Sequence, residues 1–326
     1  MDQRLSAIKS WVSDVLNSED FTITPASSDA SFRRYFRVRQ AESTWIVMDA
    51  PPAQEDTGPF IKVSHFLAAQ SLHVPDIIAH NSDMGFLLLS DLGSQPYLDM
   101  LNNHSADSLY RDAIDSLIQM QCSDPASIDL RRYDLELLQT ELSLFPEWFL
   151  KRHFELSPPP FIQPLFDELI DNALSQPQVV VHRDYHSRNL MVDTKRNPGI
   201  IDFQDAVIGP ITYDLVSLLR DCYIAWPEDK LKAWIQYYFN AAQQHDLLPN
   251  CDIATFTRWF DLMGLQRHLK VLGIFCRLNY RDNKSNYMAD LPQTLRYVQQ
   301  VCRRYDNLQP LADFLSSNNQ INTLSK

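Results

Sequence analysis

Glycine is scarce in this chain, with seven among 326 residues. A long glycine-rich loop that cradles phosphate through free backbone N–H groups is therefore unavailable at most places where one would look for it. Cysteine is scarce too: Cys122, Cys222, Cys251, Cys276 and Cys302 are odd in number, scattered and never in C-x-x-C spacing. That usage argues against a disulfide framework and is the one expected of reduced thiols in a cytoplasmic protein. Positive charge is in deficit, with 29 Lys and Arg against 41 Asp and Glu, a net charge of −12. This balance argues against broad nucleic-acid binding, which needs basic side chains to displace counterions. An anionic nucleotide would need a local basic patch. No apolar run approaches membrane-spanning length, and Met1-Asp2-Gln3-Arg4 leads into no apolar signal core. No membrane or nucleic-acid partner is therefore expected, and nothing in the sequence speaks to oligomeric state. The remaining composition, 45% hydrophobic and 21% charged, is that of a globular protein long enough for one large two-lobed domain or two ordinary ones.

What is present is concentrated between Val179 and Asp205. Val179, Val180 and Val181 form a β-branched run that predicts a buried strand. His182 to Asn189 reads H-R-D-x-x-x-x-N. Leu190 to Val192 is a second short apolar run, Asn197, Pro198 and Gly199 are turn residues, and Ile200 and Ile201 lead into Asp202. Two carboxylates and an amide thus fall at the mouths of three small strands. Phosphoryl transfer needs a carboxylate near the attacking hydroxyl and oxygen ligands for magnesium. Asp184 has the spacing of the base, and Asn189 and Asp202 have that of the metal ligands. A lone Asp or Asn in a loop is usually a turn former or a cap; the full pattern at this separation is what favours kinase chemistry. His182 reads as a residue packing the loop. His182 and His186 are spaced for zinc only on a helix, and this segment reads as a loop.

The flanking segments divide by period. Residues 6–16 carry Ile8, Trp11, Val12, Val15 and Leu16 on one helical face. Ser27 to Ser31, small and polar, precede a run of alternating aromatics and arginines, which predicts a turn between two strands. Arg33 and Arg37 share one face of the second strand and Arg34 takes the other. Trp45 to Met48 is the next strand. Pro59 to Leu72 predicts a helix, and Gly85 to Gly93 a buried strand ending in a turn. Beyond Tyr97 the pattern is mostly helical, including Phe161 to Ser175, Leu215 to Tyr223, Lys230 to Gln244 and Ile253 to Phe275. Asp214 reads as a brace for the loop from a helix start. The tail after Asp313, rich in Ser, Asn and Gln, reads as frayed.

The H-R-D-x-x-x-x-N loop and the later Asp-Phe resemble the catalytic loop and metal-binding aspartate of kinases. Gln204 follows Asp202-Phe203 where a protein kinase has Gly. With Asp205 and Gly209-Pro210-x-x-Tyr213-Asp214-Leu215, the chain resembles the aminoglycoside phosphotransferase family of small-molecule kinases. Four stretches resemble, more narrowly, the bacterial N-acetylmuramate/N-acetylglucosamine anomeric kinases of cell-wall recycling. They are Asp29 to Arg37, Met48 to Pro52, Leu219 to Tyr223 and Gln266 to Gly273.

The resemblance implies an α+β, bilobal protein-kinase-like fold, with a sheet-rich N-lobe over residues 1–92 and a larger helical C-lobe over 93–326. It implies ATP and magnesium, and a cytoplasmic kinase acting on the C1 hydroxyl of N-acetylmuramate and N-acetylglucosamine. Ser90, Asp91 and Leu92 then form the hinge whose backbone meets adenine. Ser31, Arg33, Arg34 and Arg37 border the nucleotide. A typical kinase carries a phosphate-pairing lysine on the third strand, where this chain has Met48 and Asp49; one of the three arginines is expected to substitute. Asp205, Arg220, Asp221, Tyr223, Trp226 and Arg267 fall on segments expected to border the sugar. Two alternatives stand beside this reading: a kinase for another amino sugar, aminoglycoside or amino alcohol, and a pseudokinase that binds nucleotide without chemistry.

Overall fold

The computed structural model describes residues 2–28 and 32–324. Helix α1 (Gln3–Leu16) starts at Asp2, whose carboxylate accepts from the backbone N–H of Arg4 and Leu5, satisfying donors that a helix start leaves unpaired. The strands are β1 (Thr22–Ser28), β2 (Arg34–Gln40), β3 (Ser43–Asp49), β4 (Ile77–Asn81) and β5 (Phe86–Ser90), with α2 (Gly58–Ala69) between β3 and β4; Ile8 and Val12 pack against Phe36 and Val38 of β2, Val47 of β3, and Phe86 and Leu88 of β5. The sheet is antiparallel in the order β1-β2-β3-β5-β4. Strand β4 escaped the sequence reading because it is a short edge strand with alternate residues exposed, so its apolar signal is weak.

Helix α3 (Tyr97–Met100) follows. The chain then runs through α4 (Ala106–Gln121), α5 (Leu135–Leu144), a π-helical stretch at Phe145–His153, α6 (Ile162–Ser175) and strand β6 (Gln178–Val181). The hairpin β7 (Leu190–Met191) and β8 (Gly199–Ile200) comes next. After it stand β9 (Val207–Pro210), α7 (Tyr213–Leu219), α8 (Glu228–Gln244), α9 (Ile253–Tyr280), α10 (Leu291–Cys302), α11 (Gln309–Ser317) and α12 (Asn319–Leu324).

Two compact units result. The first holds Met1–Met100 and Asn189–Asp205, the second Leu101–Arg188 and Ala206–Lys326. The first unit therefore extends past the expected limit at Leu92 and takes in the hairpin. The reason is local bonding: Val192 N donates to Gln95 O at 2.8 Å, Ile200 N donates to His73 O at 2.7 Å, and the Phe203 ring lies 4.8 Å from that of Phe60.

In the second unit α9 is the central element, buried on nearly all sides from Phe260 to Gly273. At Gly273 an added Cβ would sit 2.3 Å from the Leu144 carbonyl oxygen, so only glycine lets α9 pass the end of α5 this closely. The tail departs from the expectation of fraying. Leu315 on α11 and Ile321 on α12 are fully buried, and two apolar side chains anchor a stretch whose composition reads as polar. Among the described residues no helix is long and apolar enough to cross a membrane.

Candidate active site

The first unit carries the metal-ligand candidates. Strand pairing between Leu190 and Ile200, with Ile201 N donating to Asn189 O at 3.1 Å, sets residues 189 and 202 side by side at the open end of a hairpin. Asn189 Nδ2 donates to Asp202 Oδ2 at 3.2 Å, and Gln204 Nε2 donates to Asp202 Oδ1 at 2.7 Å. Asp202 has φ +65°, a left-handed conformation that a β-carbon makes costly and that persists where the surroundings impose it. Asp205 is exposed beside them and accepts from Gln204 at 3.4 Å. Side-chain oxygens from an asparagine and an aspartate, with a second carboxylate close in sequence, fit magnesium. This ion takes one or two carboxylates and completes its shell with phosphate oxygens and water.

The three arginines of the β2 region have different employments. Arg34 donates through Nε to Asp49 at 2.9 Å, and Arg4 donates to the other oxygen of the same carboxylate at 2.8 Å. Asp49 is fully buried, so the aspartate near the expected lysine position is the anchor of two guanidinium groups. Arg37 forks onto Asp91 at 2.6 and 3.0 Å and donates to Gly93 O at 2.7 Å. Arg33 pairs with Glu55 at 3.2 Å. Burial pulls its pKa down, but Tyr35, Glu55, Asp202 and Asp205 together hold it above the ordinary arginine value. Asp202 and Asp205 both act on the Arg33 charge. The Ser90 backbone N–H goes to Asp76 O at 2.9 Å, the Asp91 side chain to Arg37, and the Leu92 side chain is buried. Ser31 lies outside the described residues.

The second unit carries Asp184. Its loop is pinned at successive residues. The Asp214 carboxylate, on the first turn of α7, accepts from the backbone N–H of His182 and Arg183 at 2.6 and 3.0 Å, as the sequence led one to expect. His182 Nδ1 accepts from Asp184 N at 3.2 Å, Tyr185 Oη donates to Ala113 O at 2.8 Å, and Asp221 accepts from Ser187 N at 3.0 Å. Asp221 also accepts from Tyr223 N at 3.1 Å. Its carboxylate is thus spent on the loop and on the backbone that follows it.

Behind the loop is a buried charge network that sequence reasoning missed. Glu141 accepts from Lys270 at 2.8 Å, from Arg183 and from the Tyr133 hydroxyl; Lys270 also donates to the Tyr213 hydroxyl at 2.9 Å. A signal was present. Leu138, Glu141, Leu142 and Phe145 are buried on one helical face, and an acid in an apolar stripe demands a buried partner. Burial alone would raise the Asp184 carboxyl, but His186, Lys270, Arg267 and Arg183 hold it below the usual aspartate value. Burial keeps His186 below its own usual value, so Lys270, Arg267 and Arg183 are the permanent charges. Asp184 stays ionised while half-buried, as a proton acceptor at neutral pH requires.

Arg267 is 4% exposed, donates weakly to Cys222 Sγ at 3.9 Å and has no hydrogen-bond partner at Nε. Tyr223 packs edge-on against His186. Arg220 is spent elsewhere: its guanidinium pairs with Asp261 and lies 4.5 Å from the Phe260 ring centroid. Trp226 donates to the Tyr110 hydroxyl at 2.8 Å. Of the expected sugar-bordering residues, Tyr223 and Arg267 lie close to the Asp184 loop with uncommitted polar edges, Asp221 braces that loop, and Asp205 belongs to the first unit.

A carboxylate held ionised on a braced loop in one unit, and in the other an aspartate paired to an asparagine 13 residues earlier, are residue types that phosphoryl transfer calls for. The chain belongs to the phosphotransferase enzyme family, whose model matches residues 22–251. It is 43% identical over 329 residues to the N-acetylmuramate/N-acetylglucosamine kinase of Pseudomonas putida, covering 97% of this chain and 96% of that protein. It is 46% identical over 299 residues to the enzyme of the same name from Pseudomonas aeruginosa, covering 90% and 88%. Among solved structures, the fold matches an ADP-bound aminoglycoside phosphotransferase with a TM-score of 0.60 at 14% identity, covering 92% and 99% of the two chains. It matches choline kinase from Streptococcus pneumoniae with a TM-score of 0.64 at 12% identity, covering 94% and 99%. The protein is a kinase of protein-kinase-like fold, with an antiparallel sheet ahead of a mainly helical region.

Proposed function

We propose that the protein transfers the γ-phosphoryl group of ATP to the C1 hydroxyl of N-acetylmuramate and N-acetylglucosamine, as a cytoplasmic enzyme of peptidoglycan recycling. The observation that carries the chemistry is the Asp184 carboxylate, half-buried yet held below its ordinary pKa by Lys270, Arg267 and Arg183. The acceptor is supported by the full-length likeness to the Pseudomonas kinases. Asp184 orients the anomeric hydroxyl and takes its proton as the oxygen bonds to the γ-phosphorus; the bond to the β-phosphate oxygen breaks and ADP leaves. An anomeric hydroxyl is more acidic than an ordinary alcohol, so a carboxylate base suffices. Asn189 and Asp202 would hold magnesium, which when bound offsets the charge of the triphosphate. Ser90 to Leu92 would offer backbone to the adenine edge.

The test is magnesium-dependent ADP release with N-acetylmuramate, N-acetylglucosamine, glucosamine, choline and kanamycin. Release is expected with the two N-acetyl sugars and is lost when C1 is blocked as a methyl glycoside. Release only with another acceptor would overturn the sugar assignment. ATP binding without release on any acceptor would favour the pseudokinase, which the aspartate near the expected lysine position otherwise supports.

Arg33 is the residue assigned here to the triphosphate in place of a lysine. Its position is supported by the mutual influence of its charge and those of Asp202 and Asp205. Arg33→Ala is expected to raise the KM for ATP roughly tenfold or more, the worth of a charge-assisted hydrogen bond. Arg37→Ala, which unties Asp91, should act mainly on thermal stability. Titration of both variants with a fluorescent ATP analogue separates them; equal nucleotide affinity in Arg33→Ala and wild type would remove Arg33 from this role.

A further inference from the structure

Arg188 closes the Asp184 loop and has no part in the mechanism above. Its side chain is exposed, and its guanidinium carbon lies 3.4 Å from the centroid of the Tyr223 ring. That ring is itself fixed. It meets His186 edge-on at 5.4 Å, and its backbone N–H is held by Asp221, the carboxylate that also holds Ser187. Arg188 is therefore tethered at both ends to one aspartate: through its neighbour Ser187 in the chain and through the ring under its head. A guanidinium stacked on an aromatic face keeps its in-plane N–H edge available, and that edge matches a carboxylate bidentately. Asp290 feels the Arg188 charge, but no ion pair joins them among the described residues. Asp184, Asp221, Arg267 and Arg188 all act on the same His186 imidazole, so Arg188 belongs to the surroundings of the base.

Two arginines thus flank this loop, and they differ in burial. N-acetylmuramate and N-acetylglucosamine share the pyranose ring and the N-acetyl group. They differ at the C3 oxygen, where the first carries a lactyl ether ending in a carboxylate. A receptor that one acceptor uses and the other leaves idle must be inexpensive when idle. A buried cation left without a partner is costly, whereas an exposed one is hydrated. Arg267, 4% exposed, suits groups common to both sugars, and Arg188 suits the group that only one of them has.

We propose that Arg188, stacked on Tyr223, is the receptor for the carboxylate of an acidic sugar acceptor and sets the preference for N-acetylmuramate over N-acetylglucosamine. The proposal rests on the two-sugar reading above. Its test is kcat/KM for both sugars, and for N-acetylmuramate with its carboxylate converted to the carboxamide, in wild type, Arg188→Gln and Arg188→Lys. The ratio of N-acetylmuramate to N-acetylglucosamine is expected to fall by about 10- to 100-fold in Arg188→Gln, the range for a charged hydrogen-bond pair, and by less in Arg188→Lys. The carboxamide should be poor in wild type and insensitive to either substitution. An unchanged ratio, or a loss shared equally by both sugars in both variants, would overturn the proposal. Wild type that turns over neither sugar would instead defeat the two-sugar reading, before any variant is made.

Discussion

Asp184→Asn is expected to lower kcat by about 10²- to 10⁴-fold, the usual worth of a positioned general base, with nucleotide affinity retained. Asparagine keeps the shape and the hydrogen-bonding reach but accepts no proton. Single-turnover ADP formation with saturating sugar, set against the Kd for ATP, is the measurement. Turnover within a few-fold of wild type would remove Asp184 from the base role. The pH profile adds a second check. The Asp184 carboxyl is held below its ordinary value of 3.8, so its basic form persists down through the mildly acidic range. The midpoint of any loss of activity through this group should lie below that value, and kcat should stay level between pH 8 and pH 5 as far as Asp184 is concerned. An acidic limb near pH 6 that survives in Asp184→Glu would have to come from another group.

Glu141→Ala is expected to be the most destabilising single change in the second unit. Glu141 is 4% exposed and offsets both Lys270 and Arg183 while accepting from Tyr133. Its removal leaves two cations without their counter-charge, and breaking one buried pair in this way costs about 3–5 kcal/mol. Urea unfolding at neutral pH measures the loss, and a change below about 1 kcal/mol would mean that the network relaxes without it. The pH dependence has a definite sign. Burial would raise the Glu141 carboxyl, but Lys270 and Arg183 hold it below the ordinary value of 4.5. A depressed carboxylate contributes stability above its unfolded pKa and loses it as pH falls through the folded value. The gap between wild type and Glu141→Ala should therefore close in acid.

The local structure around Asp184 was legible because its pattern is local. Asp184, Asn189 and Asp202 lie within one stretch whose turn residues and β-branched runs mark three short strands, two of which pair as a hairpin through Leu190 and Ile200. Asp214 was legible for the same reason, as an acid at a helix start. The employment of the arginines was not. Arg33, Arg34 and Arg37 look alike in sequence, and what separates them is the carboxylate each one meets, 22, 15 and 54 residues away. Partners at that separation are set by the sheet order, which no local period encodes. The Glu141 network spans still greater distances, with Gln266 donating to Tyr133 from 133 residues along the chain. The boundary at Leu92 missed the hairpin because a chain that leaves a unit and returns gives no compositional signal at either crossing.

The buried carboxylate of β3 also bears on how such a protein can change over time. Asp49 is gripped from two sides, by Arg4 on α1 and Arg34 on β2, so the strand is organised around a negative charge. A lysine introduced at that position would set three cations together with only the Asp2 carboxylate, which pairs with Arg34, to offset them, and the sheet would lose one of its ties to the first helix in the same step. A lysine at this position is therefore expected to be tolerated only if Arg4 or Arg34 changes with it. A site of this kind resists change, because each arginine makes the aspartate harder to replace.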